Sequence, residues 1–354
     1  GNCAAIARVR TPDYSNEAPY LKDELGLAMI INPDLEAAKE AARILYLPTA
    51  LEVNSFAHGQ AELVKFVIPE DNIINGITVA RLGSSITNDI LICAIERNDE
   101  VYIPNGDFQL MAGDVISFVS DKNSARSFLK KIGFNTRQVK DVMIIGGSRF
   151  AYYLAKELLS MKIGVKIIEQ NEETCQFFST ILPDAIVING DGTDPDILKE
   201  AGIQHAQAFV PLTGIDEENI MLTLYAKKVS SAKVITKINK INFKEVVNSL
   251  DLGSVVYPKN IASEAIIAYV RARSNSKDSN IETLYHMFDY KVEAIEFLVD
   301  EPSHVTDTPL KDLKLKKDVL ISFINRNGKI IIPTGNDSIM VGDTVMIVTK
   351  QTGF

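Results

Sequence analysis

A glycine-rich turn near the middle of the sequence has the residue types that bind a phosphate. It follows an apolar run at 142–145 and consists of Gly146-Gly147-Ser148-Arg149-Phe150-Ala151. Glycine permits a tight turn and a close approach of backbone N–H groups to a phosphate, and a following helix adds its dipole. The next apolar run ends at Glu169, whose carboxylate can accept hydrogen bonds from ribose hydroxyls and repels a 2′-phosphate. These residues predict a dinucleotide site that disfavours NADP.

The turn departs from the usual G-x-G-x-x-G pattern at two positions. Ala151 replaces the third glycine, which is an accepted substitution, and Ser148 replaces the second. A serine side chain crowds the approach of a pyrophosphate, although its hydroxyl can donate to a phosphate oxygen. A unit that keeps the fold but binds nothing is therefore an open alternative. Arg149 is a candidate phosphate contact, and its alternative is a solvated arginine on the helix face.

Two later polar segments follow further apolar runs, at 189–194 and 212–214. Ligands of open α/β sheets lie at the carboxyl ends of the strands, so these segments are expected beside the glycine turn. Asp191 can reach an adenine amino group, and Thr213 with Gly214 can face the phosphates or a second ring. The alternative is that Asp191 and Asp194 serve only as turn and cap residues.

The elements that position these residues are predicted from the alternation of apolar and helical patterns. Between 142 and about 272, short apolar runs each precede an amphipathic helix, which indicates a doubly wound parallel sheet. Residues 1–50 predict the end of another α/β unit, with strands at 4–9 and 28–31, a helix at 20–25 and a helix from Asp34. In that last helix Leu35, Ala38, Ala41, Ala42 and Leu45 share one face.

A β-rich segment occurs twice in the chain. Residues 89–114 recur as 318–343, each copy with Ile-Pro-x-Gly followed by Gly-Asp at the same spacing, and a fainter echo joins 6–10 to 235–239. The repeat unit thus has a larger part and a small β-rich part. Around the first small part we expect a strand at 63–68, a short helix at 77–82 and a final helix at 124–132. We also expect the opening half of the first larger part to be absent.

Bulk composition excludes several classes of protein. A length of 354 residues predicts two to four domains, and a net charge of −9 argues against a nucleic-acid binder. The three cysteines are scattered, which favours reduced thiols over a disulfide frame, and no metal-ligand spacing occurs. No apolar run approaches the ~20 residues that span a bilayer. We expect a cytoplasmic protein, or one that reaches the membrane only through a partner.

Catalysis is not predicted. The four histidines, His58, His205, His286 and His304, stand outside any evident acid–base motif and are expected on the surface or in packing. The small repeated units are too short to form a substrate domain. Binding without turnover is therefore the favoured hypothesis, and the alternative is an NAD-dependent oxidoreductase with a degenerate substrate region.

Together, several motifs resemble one family over essentially the whole chain. They are 146–155, 190–194, 212–219, 234–237 and both Pro-x-Gly…Gly-Asp blocks. The sequence resembles the regulatory subunits of bacterial Trk and Ktr potassium-uptake systems, which repeat a nucleotide-binding RCK (KTN) domain and a small TrkA-C domain. The resemblance implies an α/β fold in which doubly wound, Rossmann-like RCK domains alternate with α+β TrkA-C domains. The implied domains are an RCK remnant (1–50), TrkA-C (51–135), RCK (139–272) and a second TrkA-C (281–354).

The resemblance also implies a function. A non-enzymatic, cytoplasmic, membrane-peripheral subunit would gate a TrkH/TrkG-type potassium channel, with NAD(H) or ATP/ADP as the regulatory ligand. It would self-associate as a tetrameric ring, or as a dimer here because the first RCK unit is incomplete. The residues expected to bind the nucleotide are Gly146, Gly147, Ser148, Arg149, Phe150, Ala151, Glu169, Gln170, Asp191, Gly192, Thr213, Gly214 and Lys237.

Overall fold

The computed structural model describes residues 5–10, 20, 24–121, 123–240, 244–274 and 281–350. These residues form two compact units, each assembled from two separate stretches of chain. Unit 1 combines Gly1–Pro48 with Arg137–Ser263, and unit 2 combines Thr49–Thr136 with Glu264–Phe354.

The first stretch of unit 1 is a parallel strand pair followed by a helix. Strand β1 (Ile6–Arg8) pairs with β2 (Met29–Ile31), and α1 (Pro33–Tyr46) follows. Asn32 caps α1 by accepting the N–H of Leu35, and Pro33 stands at the first turn, where its missing N–H is not needed. Residues 21–23 of the helix predicted at 20–25 lie outside the described residues.

The first stretch of unit 2 is an antiparallel sheet with two short helices. Its elements are β3 (Glu52–Phe56), β4 (Ala61–Val67), α2 (Val79–Ser85), β5 (Ile90–Arg97), β6 (Glu100–Tyr102), β7 (Val115–Asp121) and α3 (Ser124–Lys131). The strand order is β3-β4-β7-β5-β6. Asn98 and Asp99 make the β5–β6 turn with φ of 53° and 64°, the left-handed conformation that a tight hairpin needs. Phe128 of α3 packs edge-to-face on Phe66 and Phe118 of the sheet.

The second stretch of unit 1 is the predicted doubly wound sheet. Its elements are β8 (Asp141–Ile145), α4 (Arg149–Ser160), β9 (Gly164–Glu169), α5 (Glu172–Ile181), β10 (Ile186–Asn189), α6 (Pro195–Glu200), β11 (Ala208–Pro211), α7 (Asp216–Val229), β12 (Lys233–Lys237), α8 (Lys244–Ser249) and β13 (Ser254–Val256). The last helix, α9 (Pro258–Ser274), begins in this stretch and continues into unit 2 after Ser263. All strands of the sheet are parallel, in the order β10-β9-β8-β11-β12-β13. The alanine-rich face of α1 packs against α4, and Asn32 Nδ2 donates to the Tyr153 hydroxyl at 2.9 Å.

The second stretch of unit 2 repeats the first. Strands β14 (Ile281–Met287), β15 (Val292–Leu298), β16 (Val319–Arg326), β17 (Lys329–Ile331) and β18 (Thr344–Thr349) follow the order β14-β15-β18-β16-β17. The register shift between Ile92 and Ala94 of β5 recurs between Ile321 and Phe323 of β16. One hydrophobic core joins residues of both copies, among them Leu63, Val119, Met287, Ala294, Phe323 and Val348. An antiparallel sheet with one apolar face must cover it, and here each copy helps to cover the other.

The repeated Gly-Asp block has a structural cause. Asp114 is almost fully buried and accepts both Arg97 Nε at 2.6 Å and Arg97 Nη2 at 2.7 Å. Asp343 and Arg326 make the same paired bond, at 2.8 Å and 2.7 Å. The arginine fork also reaches a backbone carbonyl, so each pair ties a loop to the end of β5 or β16.

The fold class predicted from the sequence, parallel Rossmann-like sheet plus small β-rich units, is confirmed. Within the ranges given above, no helix has the length and apolar character to cross a membrane.

Candidate functional site

A cleft of about 490 Å³ opens at the carboxyl ends of β8, β9, β10 and β11. In the sheet order, β8 lies between β9 and β11, so the chain reverses its direction of winding at this point. The cleft is lined by Ile145, Gly146, Gly147, Ser148, Ile168, Glu169, Gln170, Asp191, Gly192, Thr193, Leu212, Thr213, Gly214, Ile215 and Glu218. The loops predicted to meet at this edge of the sheet therefore do so.

Three glycines in the cleft have no room for a side chain. Gly146 has a φ of 97°, and a Cβ there would lie 3.2 Å from the Leu212 carbonyl oxygen. A Cβ on Gly147 would lie 2.6 Å from the side chain of Thr174, and one on Gly192 would collide with the side chain of Ile145. The packing around the cleft therefore requires glycine at these three positions.

Glu169 ends β9 with its carboxylate at the cleft. Its Oε2 accepts the N–H of Gly147 at 2.5 Å, and its Oε1 accepts the N–H of Asn171 at 2.7 Å. A carboxylate has about four acceptor positions, so each oxygen can accept a further hydroxyl donor. The side chain fixes the glycine turn and carries a negative charge beside it.

Ser148 explains the departure from the glycine pattern. It is the N-cap of α4, and its Oγ accepts the N–H of Ala151 at 3.2 Å. Its hydroxyl hydrogen is not used in that bond and can still donate toward the cleft. The first turn of α4 contains no acidic residue, so nothing there offsets the positive end of the helix dipole.

Four of the residues expected to bind nucleotide do not line the cleft. Arg149 is exposed at the first position of α4, while Phe150 and Ala151 are buried beneath the turn. Lys237 is 8% exposed and donates from Nζ to the Thr213 carbonyl at 2.8 Å, and its burial lowers its pKa. Lys237 thus stabilises the loop after β11 through this hydrogen bond.

The loop after β10 has the hydrogen bonds of a turn and a cap. Asp191 accepts the N–H and hydroxyl of Thr193 at 2.9 Å and 2.7 Å, which lowers its pKa, and Asp194 caps α6 through the N–H of Asp196. These bonds match the turn-and-cap alternative. Asp191 nevertheless also lines the cleft, so its carboxylate is within reach of a ligand.

Asn219 holds the β11 loop and was missed as a site residue. It is fully buried, accepts the N–H of Thr213 at 2.9 Å, and donates to the carbonyls of Thr213 at 3.3 Å and Lys237 at 3.2 Å. In the sequence, Asn219 stands out only as a polar amide side chain at a position of α7 that faces the protein interior. Ile215 and Glu218 were also missed, although both line the cleft.

Family models match most of this architecture. The TrkA-N domain matches residues 142–258, and the TrkA-C domain matches 63–133 and 294–354. The chain belongs to the TrkA family. Its six-stranded parallel sheet is the TrkA-N domain, and its two β-rich copies are TrkA-C domains.

Named relatives match nearly the full length of this TrkA-family chain. A "Trk system potassium uptake protein TrkA homolog" of Archaeoglobus fulgidus is 29% identical over 345 residues, covering 98% of this chain and 76% of that protein. "Trk system potassium uptake protein TrkA" of Haemophilus influenzae is 26% identical over 345 residues, covering 97% and 74%. Membership of this family supports a nucleotide-sensing regulatory role.

Solved structures share the fold. The crystal structure of the GsuK RCK domain has a TM-score of 0.54 at 16% identity, covering 98% of this chain and 77% of that one. The GsuK channel bound to NAD has a TM-score of 0.56 at 17% identity, and this chain spans 60% of its length. This chain therefore shares the fold of these RCK structures.

Proposed function

We propose that this TrkA-family chain binds an adenine nucleotide, with NAD(H) or ATP/ADP as candidates, in the cleft at the ends of β8 to β11. Binding would set the conformation of an oligomer that gates a TrkH/TrkG-type potassium channel from the cytoplasmic face of the membrane. The protein would act without turnover.

The observation that carries this proposal is the bare glycine turn with Glu169 beside it. Gly146 and Gly147 form a turn without side chains directly before the N-terminus of α4, where the helix dipole favours a pyrophosphate. Glu169 stands where it can accept ribose hydroxyls, and its charge opposes a 2′-phosphate. The structure of GsuK bound to NAD supports a dinucleotide as one candidate ligand.

A binding role is supported by the chemistry of the cleft. Of the described residues that line it, Glu169, Asp191 and Glu218 supply the ionisable side chains. A regulator needs only different affinities in two conformations, because a ligand shifts an equilibrium by its differential binding free energy.

The nucleotide site is tested by titration calorimetry of NADH, NADPH, ADP and ATP against the parent protein and two variants. We expect the parent to prefer NADH to NADPH. Glu169→Gln should weaken NADH binding by about 1–3 kcal/mol, the range for a lost hydrogen bond to a charged group. It should also reduce the preference for NADH over NADPH. Glu172→Gln is the control, since that carboxylate is exposed on α5 outside the cleft. Equal affinities of the parent for NADH and NADPH would contradict the role of Glu169.

The regulatory role is tested by potassium flux into vesicles that contain a Trk-type channel. Adding the parent protein should make the flux depend on nucleotide, and Glu169→Gln should shift that dependence to higher concentration. If nucleotide still binds but the flux does not depend on it, the cleft does not control gating.

A further inference from the structure

Two helices that begin at the cleft differ in the charge of their first turns. The glycine turn, which follows the central strand β8, leads into α4, and α4 has no acidic residue in its first turn. On the β11 side of the cleft, α7 begins with Asp216, Glu217 and Glu218. A nucleotide whose phosphates lie on the glycine turn therefore directs whatever follows those phosphates toward an acidic region.

The three acids of α7 have different surroundings. Asp216 accepts the backbone N–H groups of Asn239 and Lys240, at 3.0 Å and 2.8 Å, and is committed to that loop. Glu217 is exposed and does not line the cleft. Glu218 is half-buried and lines the cleft beside Gly214 and Ile215, and its carboxylate makes no hydrogen bond or ion pair within the described part of the chain.

We propose that Glu218 is a specificity-determining residue of the nucleotide cleft, one that disfavours a nucleoside triphosphate and favours a dinucleotide. This inference rests on the proposed function. With the adenosine held at Glu169 and the diphosphate on the glycine turn, the next group in ATP is the γ-phosphate, and in NAD it is the second ribose with its base.

The γ-phosphate of ATP and the second ribose and base of NAD interact with a carboxylate in opposite ways. A γ-phosphate facing a carboxylate in a partly enclosed cleft is repelled, because the protein screens charge less well than water does. Ribose hydroxyls and a carboxamide NH₂ are donors, and an uncommitted carboxylate accepts them. ADP ends before this region and should be insensitive to Glu218.

The experiment is calorimetry on the full chain in EDTA, so that no divalent cation bridges phosphate and carboxylate. ADP, ATP and NAD⁺ are titrated into the parent, Glu218→Gln and the matched control Glu217→Gln. We expect Glu218→Gln to increase the affinity for ATP about tenfold and to decrease the affinity for NAD⁺ several-fold. The affinity for ADP should stay within about twofold of the parent value. Glu217→Gln, which removes the same charge one residue away, should change none of the three by more than about twofold.

The outcomes separate this inference from the function on which it rests. If the parent binds ADP and NAD⁺ but Glu218→Gln leaves the ATP/ADP affinity ratio unchanged, the specificity role is wrong and the nucleotide site stands. If Glu217→Gln alters the ratio as much as Glu218→Gln does, the effect is one of general charge and the inference is also overturned. If the parent binds none of the ligands, both proposals fail.

Discussion

Two glycines of the cleft, Gly192 and Gly214, have opposite surroundings. A Cβ on Gly192 would collide with Ile145, which is buried at the end of β8, whereas a Cβ on Gly214 would meet nothing within 4 Å. We expect Gly192→Ala to lower the free energy of unfolding by about 1–3 kcal/mol, as overpacking does. Gly214→Ala should be neutral or stabilising by up to about 1 kcal/mol, because alanine restricts the unfolded chain. Denaturant melts of both variants check this, and equal losses would contradict it.

At the scale of residues, the sequence predicted which backbone positions meet at the cleft better than which side chains enter it. Gly146, Glu169 and Thr213 end or follow strands that are neighbours in the sheet, and the geometry of a parallel sheet brings such positions together. The direction of Arg149 and the burial of Lys237 depend on helix phase and on packing from other elements, which spacing does not encode. Phosphate binding by Arg149 stays a prediction, and unchanged ATP affinity of Arg149→Ala at low salt would favour the solvated alternative.

At the scale of elements, Ser148 links the stability of α4 to the shape of the phosphate turn. Because its Oγ caps the helix, Ser148→Ala should destabilise unit 1 by about 1 kcal/mol, whereas Ser148→Gly should cost only a few tenths. Ser148→Gly also restores the glycine of the usual pattern, so nucleotide affinity should be kept or increased. Thermal melts and calorimetry on the pair measure both effects. A glycine variant as unstable as the alanine variant would show that the cap is not the reason for serine.

For the β-rich repeats, the sequence predicted which segments are strands and which are helices. It did not predict where each element ends or which side chains pair. The strand at 63–68 and the short helix at 77–82 correspond to β4 and α2, with ends that differ by up to three residues. Apolar patterning fixes the existence of an element, whereas its ends depend on caps such as Thr78, which accepts the N–H of Arg81. The sequence showed that an arginine and an aspartate recur, and only the structure shows that they form a buried pair.

At the scale of the whole molecule, the sequence predicted an alternation of domains but not how the stretches combine into units. The two TrkA-C copies share one core within unit 2, and α1 packs on α4 within unit 1. Each stretch leaves an apolar face that it cannot cover alone, and a linear repeat pattern does not say which other stretch covers it.

The joining of the TrkA-C copies should depend on pH through Glu52. Its carboxylate pairs with Lys65 at 2.8 Å and accepts the hydroxyl of Tyr285, from the other copy, at 2.7 Å. Burial opposes ionisation, but Lys65 and Tyr285 outweigh it and lower the pKa of Glu52 below its ordinary 4.5. The stabilisation is therefore present above about pH 4.5 and lost as the pH falls through the lowered pKa.

Glu52→Gln should lower the stability of unit 2 at neutral pH by about 1.5–3 kcal/mol and flatten its acid dependence. Glu70→Gln, on an exposed loop, is the control and should leave the pH profile unchanged. Denaturant melts between about pH 3 and pH 7 test this. A parent-like acid slope in Glu52→Gln would assign the pH dependence to other groups.

The family resemblance implies self-association, and the two helices α1 and α9 differ in the apolar surface that they leave available for it. The face of α1 that carries Ala38 and Ala41 is buried against α4 within the chain. On α9, by contrast, Ile266 is 38% exposed and Val270 is 53% exposed, one helical turn apart on the same side. An exposed apolar pair of this kind on a long helix favours contact with a second copy.

We expect the parent chain to be a dimer or larger oligomer by light scattering at tens of micromolar, and the double variant Ile266→Asp/Val270→Asp to dissociate. A charge at the centre of an apolar interface must be desolvated without a partner, which destabilises the contact by several kcal/mol. Ile73→Asp is the matched control, since Ile73 is 60% exposed on a loop of unit 2 and its charge should leave the oligomer intact. If Ile73→Asp also dissociates the oligomer, the cause is general charge repulsion on a chain whose net charge is already −9. If the parent chain is a monomer, the proposal that α9 is an assembly surface is wrong.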